Sequence, residues 1–381
     1  MASLLTPARA RRLMLRATHL ERPSFPAGRP GVRAALEALG CVQLDPIDRI
    51  GANPDLVLHA RVPGYQRGDW ASAMPTHAFE HFAKERCLLP ARCFPRYRDQ
   101  AARTPGWRLT ERLKRLDDAA LRAVLEEVRA RGPLAPSELS DHGAVRPLDW
   151  NGWKGTGRVG TMALEVLAMR CQLVTVGRRP SGQRVYDLPG RALPDHASAP
   201  AEGFFRAGVL DRVRSAGLLS TASGPWWSML GAARKGRVVA DLLAEGRLVE
   251  VGLPGTRRRW YALPAALEAS APALDADDAL RILGPLDPLL WDRQLVERAF
   301  GFTYIWEVYK PAARRRWGYY VCPLLHRGEL VGRIEARRSE AGIEVLQQWG
   351  TPEPRALDEA LGRLEAMQPR RASAAPEPTA G

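Results

Sequence analysis

The stretch Cys41-Val42-Gln43-Leu44-Asp45-Pro46-Ile47 alternates apolar and polar side chains and sets an amide and a carboxylate two positions apart. In an extended chain such residues point to one face, so Gln43 and Asp45 project together, roughly 7 Å apart, while Val42 and Leu44 take the other side. A carboxylate offers charge and a proton acceptor, and an amide offers both a donor and an acceptor. The plainer account of the same pattern is a half-buried strand with its wet face outward, ended by Pro46. A second candidate, His77 and His81, has the four-residue spacing that holds a metal on one face of a helix, but no third ligand accompanies it. The five cysteines are scattered, with no C-x-x-C pair, and read as free thiols rather than a disulfide framework, zinc site or iron-sulfur cluster. No metal or redox cofactor is expected.

The elements around these residues belong to a chain of 381 residues with 45% hydrophobic and 26% charged side chains, long enough for several domains. No apolar run is long enough to span a bilayer, and arginines interrupt the N-terminal stretch, which reads as an amphipathic helix and not as a secretory signal. The expectation is a cytoplasmic protein with no membrane partner. A formal net charge of +14 suits a polyanionic partner, of which nucleic acid is the commonest.

An internal repeat organises the middle of the chain. Leu173–Pro189, LVTVGRRPSGQRVYDLP, aligns without a gap with Leu248–Pro264, LVEVGLPGTRRRWYALP. Each copy reads as a β-hairpin with a basic tip, preceded by amphipathic helices, which is the order of a winged helix. A looser copy opens the chain, with Cys41–Ile47 as the strand following its helix. The segment holding His77 and His81 reads as a helix beside this first module. Beyond Asp275, strand-like runs at TYIWEVYK, RRWGYYVCPLL, GELVGRIEARR and GIEVLQQWG read as an antiparallel meander before a final helix.

The fold class is therefore α+β: tandem winged-helix (helix-turn-helix) modules followed by a small antiparallel β domain. The expected domains are 1–116 (first winged helix with a helical insertion), 117–195 (second), 201–268 (third), 275–367 (β domain with its terminal helix) and 368–381 (disordered tail). Arg178 and Arg179 at one wing tip, and Arg257, Arg258 and Arg259 at the other, suit phosphate or minor-groove contact. Arg314, Arg315, Arg316 and Trp317 stand in the turn expected between the first two strands of the β domain, where basic residues alternate with aromatics.

Together GCVQLDPI, DLVLHARV, PLDPLLWDR, ERAFGF and WEVYKPAARRRWGYYVCPLLHRGELVGR resemble the winged-helix DNA glycosylases of the YcaQ and AlkZ type. The resemblance implies a C-shaped arrangement with a basic channel for duplex DNA, and removal of N7-alkylguanine-type bases, in some members from interstrand crosslinks. It implies a monofunctional N-glycosylase whose active motif falls on Gln43, Leu44 and Asp45. Asp45 would stabilise an oxocarbenium-like sugar and direct a water, and Gln43 would hold the water or the sugar edge. The same resemblance makes Arg314, Arg315, Arg316 and Trp317 DNA contacts on a hairpin that probes the groove, so full base extrusion is not required. Two positions depart from the family pattern: Lys84, where many relatives carry histidine, and Pro54. The competing account is a non-catalytic winged-helix regulator. Three DNA-facing modules in one chain make a monomer sufficient.

Overall fold

The computed structural model describes residues 3–103, 107–146, 156–270, 273 and 275–367; the tail at 368–381 lies outside the described residues. The fold is α+β, with small sheets set among helices. No helix among the described residues is long and apolar enough to cross a membrane.

One order of elements recurs three times: a helix, a short extended segment, short helices, and a hairpin whose returning strand pairs with that extended segment. In the first repeat these are helix Arg29–Leu39, strand Val42–Gln43, helix Asn53–His59, a single 3-10 turn Asp69–Ala73, and strands Ala78–Phe82 and Arg86–Pro90. In the third they are helix Phe204–Ala216, strand Leu219–Ser220, helices Gly231–Lys235 and Val238–Ala244, and strands Val249–Gly252 and Arg259–Ala262. The second keeps helices Asp118–Arg131 and Val159–Met169 and strands Val174–Arg178 and Arg184–Asp187, with Leu134 alone bridging Tyr186. Pairing is antiparallel in each: Val42 with Leu88, Leu134 with Tyr186, and Leu219 with Tyr261.

Two expectations are corrected. The segment holding His77 and His81 is not a helix but the hairpin of the first repeat. Phe79, Cys87 and Leu89 from this hairpin enter one apolar core with Val213, Trp226 and Leu242 of the third repeat, and that burial selects the extended form. His77 lies in the turn before strand Ala78–Phe82 and His81 within that strand, so the two do not share a helix face and the metal spacing vanishes. Among the described residues no group of three potential metal ligands comes together. His81 instead packs its ring 4.9 Å from Tyr97, and burial pushes its pKa down to about 4.

The run Thr303–Lys310 is likewise not a strand. The buried Glu307 carboxylate accepts hydrogen bonds from the Lys310 ammonium and from Trp317 N, each at 2.7 Å, and ties 303–317 into an irregular loop with one turn at Ala312–Arg314. The four-stranded sheet takes Arg281–Ile282 as its edge, followed by Val321–His326, Glu329–Ser339 and Gly342–Gly350. Its core continues into the first repeat and the terminal helix Pro354–Met367. The N-terminal helix Pro7–Ala17 shares its core with the third repeat and helix Arg293–Phe300.

Pro54 is accommodated in the first turn of its helix, where a missing N–H costs nothing. Just beyond that helix, the Arg61 guanidinium meets Asp287 through two bonds of 2.7 and 2.9 Å, both side chains 0% exposed. Arg61 also donates to the carbonyls of Thr18 and Val57. This fully buried pair fixes the 285–294 segment against the first repeat.

Candidate active-site cleft

Helix Arg29–Leu39 ends at Gly40, whose φ of +68° turns the chain into strand Val42–Gln43. Gln43 pairs with Cys87 across the sheet, and its carbonyl accepts from Asn53 Nδ2 at 2.8 Å. The backbone here is held from two sides. Gln43 is only 5% exposed, yet its amide Oε1 has no hydrogen-bond partner among the described residues. An unpaired buried acceptor costs about 1–3 kcal/mol, so this amide is fitted to take a donor from something else.

Leu44 N continues the ladder to the Arg86 carbonyl at 2.8 Å, and Pro46 ends it. Asp45 Oδ1 accepts from Ile47 N at 3.0 Å, closing an Asx turn that orients the carboxylate. Burial pushes the Asp45 pKa above that of an ordinary aspartate; the Ile47 N–H and the Lys84 ammonium oppose the shift without cancelling it.

Gln43 and Asp45 both line a cleft of about 790 Å³. Its second wall is the tip of the first hairpin, with Phe82, Lys84 and Arg86. A third comes from the third repeat, with Leu219, Ser220, Trp226 and Trp227, and a fourth from the 285–294 segment, with Trp291 and Arg293. Trp306 and Tyr309 complete the lining. Trp291 is held by a hydrogen bond from Nε1 to the Leu286 carbonyl, 2.9 Å, and by the Trp226 ring 4.5 Å away. The Trp306 indole N–H, like the Gln43 amide oxygen, is buried without a partner among the described residues.

The basic residues singled out from the sequence fall into two sets. Arg258 lines the cleft, 4.0 Å from Asp292. Arg257 and Arg314 are exposed, and Arg259 lies 3.9 Å from Glu250. Arg315 donates to the Lys310 carbonyl and lies 4.9 Å over Tyr319, which Arg49 approaches at 5.0 Å. This brings the 309–319 loop against the segment that follows Asp45. Arg316 lies over Trp317 at 4.5 Å, and Arg333 does so at 4.0 Å. By contrast, Arg178 and Arg184 both grip Glu80 of the first hairpin, and Arg179 makes two 2.8 Å bonds to Glu138. Arg178 thus ties the second repeat to the first, and Arg179 closes a pair within its own repeat.

A sequence profile for DNA glycosylase AlkZ-like proteins matches residues 36–367. The chain belongs to the AlkZ-like DNA glycosylase family. Its fold is also similar to that of Streptomyces sahachiroi DNA glycosylase AlkZ, at a TM-score of 0.61, with 95% of this chain and 97% of that chain covered and 15% of residues identical. At that identity the likeness is one of fold, and the AlkZ-like match carries the assignment to the family. In this AlkZ-like chain the two residues named from the sequence, Gln43 and Asp45, both line the cleft, while its aromatic lining was not named: Trp226, Trp291, Trp306 and Tyr309, the last 84% exposed. No local pattern marks these four, because they come from three separate segments that meet only in the folded chain.

Proposed function

We propose that this protein is a DNA glycosylase that hydrolyses the N-glycosidic bond of N7-alkylguanine-type bases in duplex DNA, with crosslink unhooking as an extension of the same chemistry. On this reading the three repeats are tandem winged helices that form, with the C-terminal β domain, a C-shaped seat for the duplex. The single observation that carries the proposal is the placement of Gln43 and Asp45 together on the wall of one large cleft among cationic side chains.

The chemistry follows from the residue types. N7-alkylation leaves guanine cationic and ready to depart, so the enzyme's task is the sugar. Asp45, ionised, stabilises positive charge growing on the anomeric carbon and receives the proton of the attacking water. Gln43 presents its unpaired amide oxygen to that water or to the sugar edge. With the duplex seated, the Trp226 and Trp291 rings limit bulk solvent around the sugar, which strengthens the electrostatic effect. Arg257, Arg258, Arg314, Arg315 and Arg316, with Trp317, are the proposed DNA contacts. Arg178, Arg179 and Arg259 touch DNA only through whatever part of each guanidinium its carboxylate leaves exposed.

The test is release of N7-methylguanine from alkylated duplex DNA. Asp45→Asn is expected to abolish release while leaving duplex binding within a fewfold of the parent. Base release by Asp45→Asn at the parental rate would remove Asp45 from the mechanism.

A further inference from the structure

Lys84 is the one lysine among the described residues that line the cleft. Only five of the chain's 56 basic residues are lysines, so the position departs from a strong bias to arginine. Lys84 sits at the apex of the first hairpin, in a tight turn closed by Ala83 N to the Glu85 carbonyl at 3.0 Å. Its own carbonyl accepts from Ser228 Oγ at 3.1 Å, which pins the turn to the third repeat. The backbone is fixed, and the four-carbon stem is what can move.

The ammonium lies 4.9 Å over the Trp291 ring and inside the cleft that Asp45 lines. Of the cleft arginines, Arg86 faces Glu80 at 3.9 Å, Arg112 bonds Glu165 at 2.7 Å and Arg258 faces Asp292 at 4.0 Å, while Arg293 stands close enough to Lys84 to disfavour its charge. Among the described residues no carboxylate lies within ion-pair distance of Lys84. Burial pushes its pKa down, the mark of an ammonium short of counter-charge. A DNA strand entering this cleft brings phosphates toward the Asp45 carboxylate, and that repulsion calls for a cation between them.

We propose that Lys84 is a phosphate-binding residue of the reaction centre, taking a non-bridging oxygen of the backbone beside the nucleotide whose base is removed and so setting its sugar against Asp45. The inference rests on the glycosylase reading of the cleft. A lysine suits the role because its compact charge follows a phosphate as the strand adjusts, where a planar guanidinium demands one geometry.

The experiment measures binding of a duplex that carries a single 2′-fluorinated, non-hydrolysable lesion nucleotide, across salt concentrations. Lys84→Gln is expected to weaken binding about tenfold and to lower the slope of log K against log salt by about 0.9, the value for one phosphate. Lys84→Arg should keep the slope. Replacing the flanking phosphate by an uncharged methylphosphonate should cost the parent the same factor and cost Lys84→Gln nothing more, since the two changes remove one contact.

Losses that multiply at every linkage, or an unchanged slope, would overturn the proposal. So would borohydride trapping of Lys84 on an abasic duplex, which would make it a nucleophile instead. The binding arms need no base release. If the parent frees no base yet these arms hold, the glycosylase reading falls and the phosphate site stands.

Discussion

Strands Val42–Gln43 and Leu219–Ser220 leave their helices through the same device and end in the same cleft. Gly40 and Gly217, at φ +68° and +73°, turn the chain in each repeat, and the helix ends touch where Ser215 Oγ donates to the Ala38 carbonyl at 3.4 Å. In register, Gln43 corresponds to Ser220 and Asp45 to Ala222. What differs is satisfaction. Ser220 Oγ accepts from Ala222 N, and its carbonyl accepts from Trp227 Nε1 at 2.6 Å. Gln43 leaves its amide oxygen unpaired, and Asp45 keeps a carboxylate that burial disfavours. The fold supplies two equivalent positions, and in one of them polar groups are left free to act on something else. Local inconsistency of this kind is where function is expected.

The sharpest way to break the comparison is to graft one strand onto the other. Giving the first strand the third repeat's residues, Gln43→Ser with Asp45→Ala, should reduce base release by a factor on the order of 10² to 10⁴, the range carried by a positioned acid–base group. Adding Ser220→Gln and Ala222→Asp to that variant should restore nothing. Recovery of base release from alkylated duplex would show that the two strands are interchangeable and that the first has no special setting.

A second contrast lies between arginines that hold repeats together and arginines that face outward. Glu80 has a fully buried side chain and takes both Arg178 and Arg184. Glu80→Gln should cost about 3 kcal/mol, read as a lower urea midpoint, because it strands cations beside a core. Arg314, exposed, carries no such duty. Arg314→Ala should leave the urea midpoint alone, weaken duplex binding a fewfold and flatten its salt dependence. If both substitutions act on stability alone, the Arg314 loop is structural and its proposed contact with DNA is lost.

These contrasts also show what could be read from the sequence. The hairpins Val174–Asp187 and Val249–Ala262 were legible because a gapless repeat carries its own check, whereas the alternation around Gln43 and Asp45 showed only a half-buried strand, and the family resemblance is what singled the pair out. The first hairpin was not legible. Its strand Ala78–Phe82 contains residues at helical spacing, and only packing against the third repeat, some 130 residues away, decides for extension. Thr303–Lys310 fails in the opposite sense: its alternation is that of a strand, and the buried Glu307 carboxylate converts it to a loop. Arg178 and Arg179 read as wing-tip cations until Glu80 and Glu138 come into view. In the first hairpin the deciding partner is distant in sequence, and in Thr303–Lys310 it is a buried carboxylate whose near neighbours fold back onto it.

The smallest expected effect concerns the stability of the charged strand itself. Because folding raises the Asp45 pKa above its ordinary value of 3.8, the folded state binds that proton more tightly than the unfolded chain does. The favourable contribution of the protonated group is fully present below the unfolded pKa. It is lost as pH rises through the folded pKa, so at neutral pH the ionised Asp45 opposes folding. Asp45→Asn should therefore raise the melting temperature slightly at pH 7, with the gain fading toward pH 3. The parental acid limb of base release should lie above pH 3.8, since the ionised form does the chemistry. The third strand offers the control: Ser220→Ala removes no titrating group, so its small effect on melting should be the same at pH 3 and pH 7. If Asp45→Asn shows an equally flat profile, burial is not what sets this carboxylate apart, and the contrast between the two strands reduces to side-chain identity.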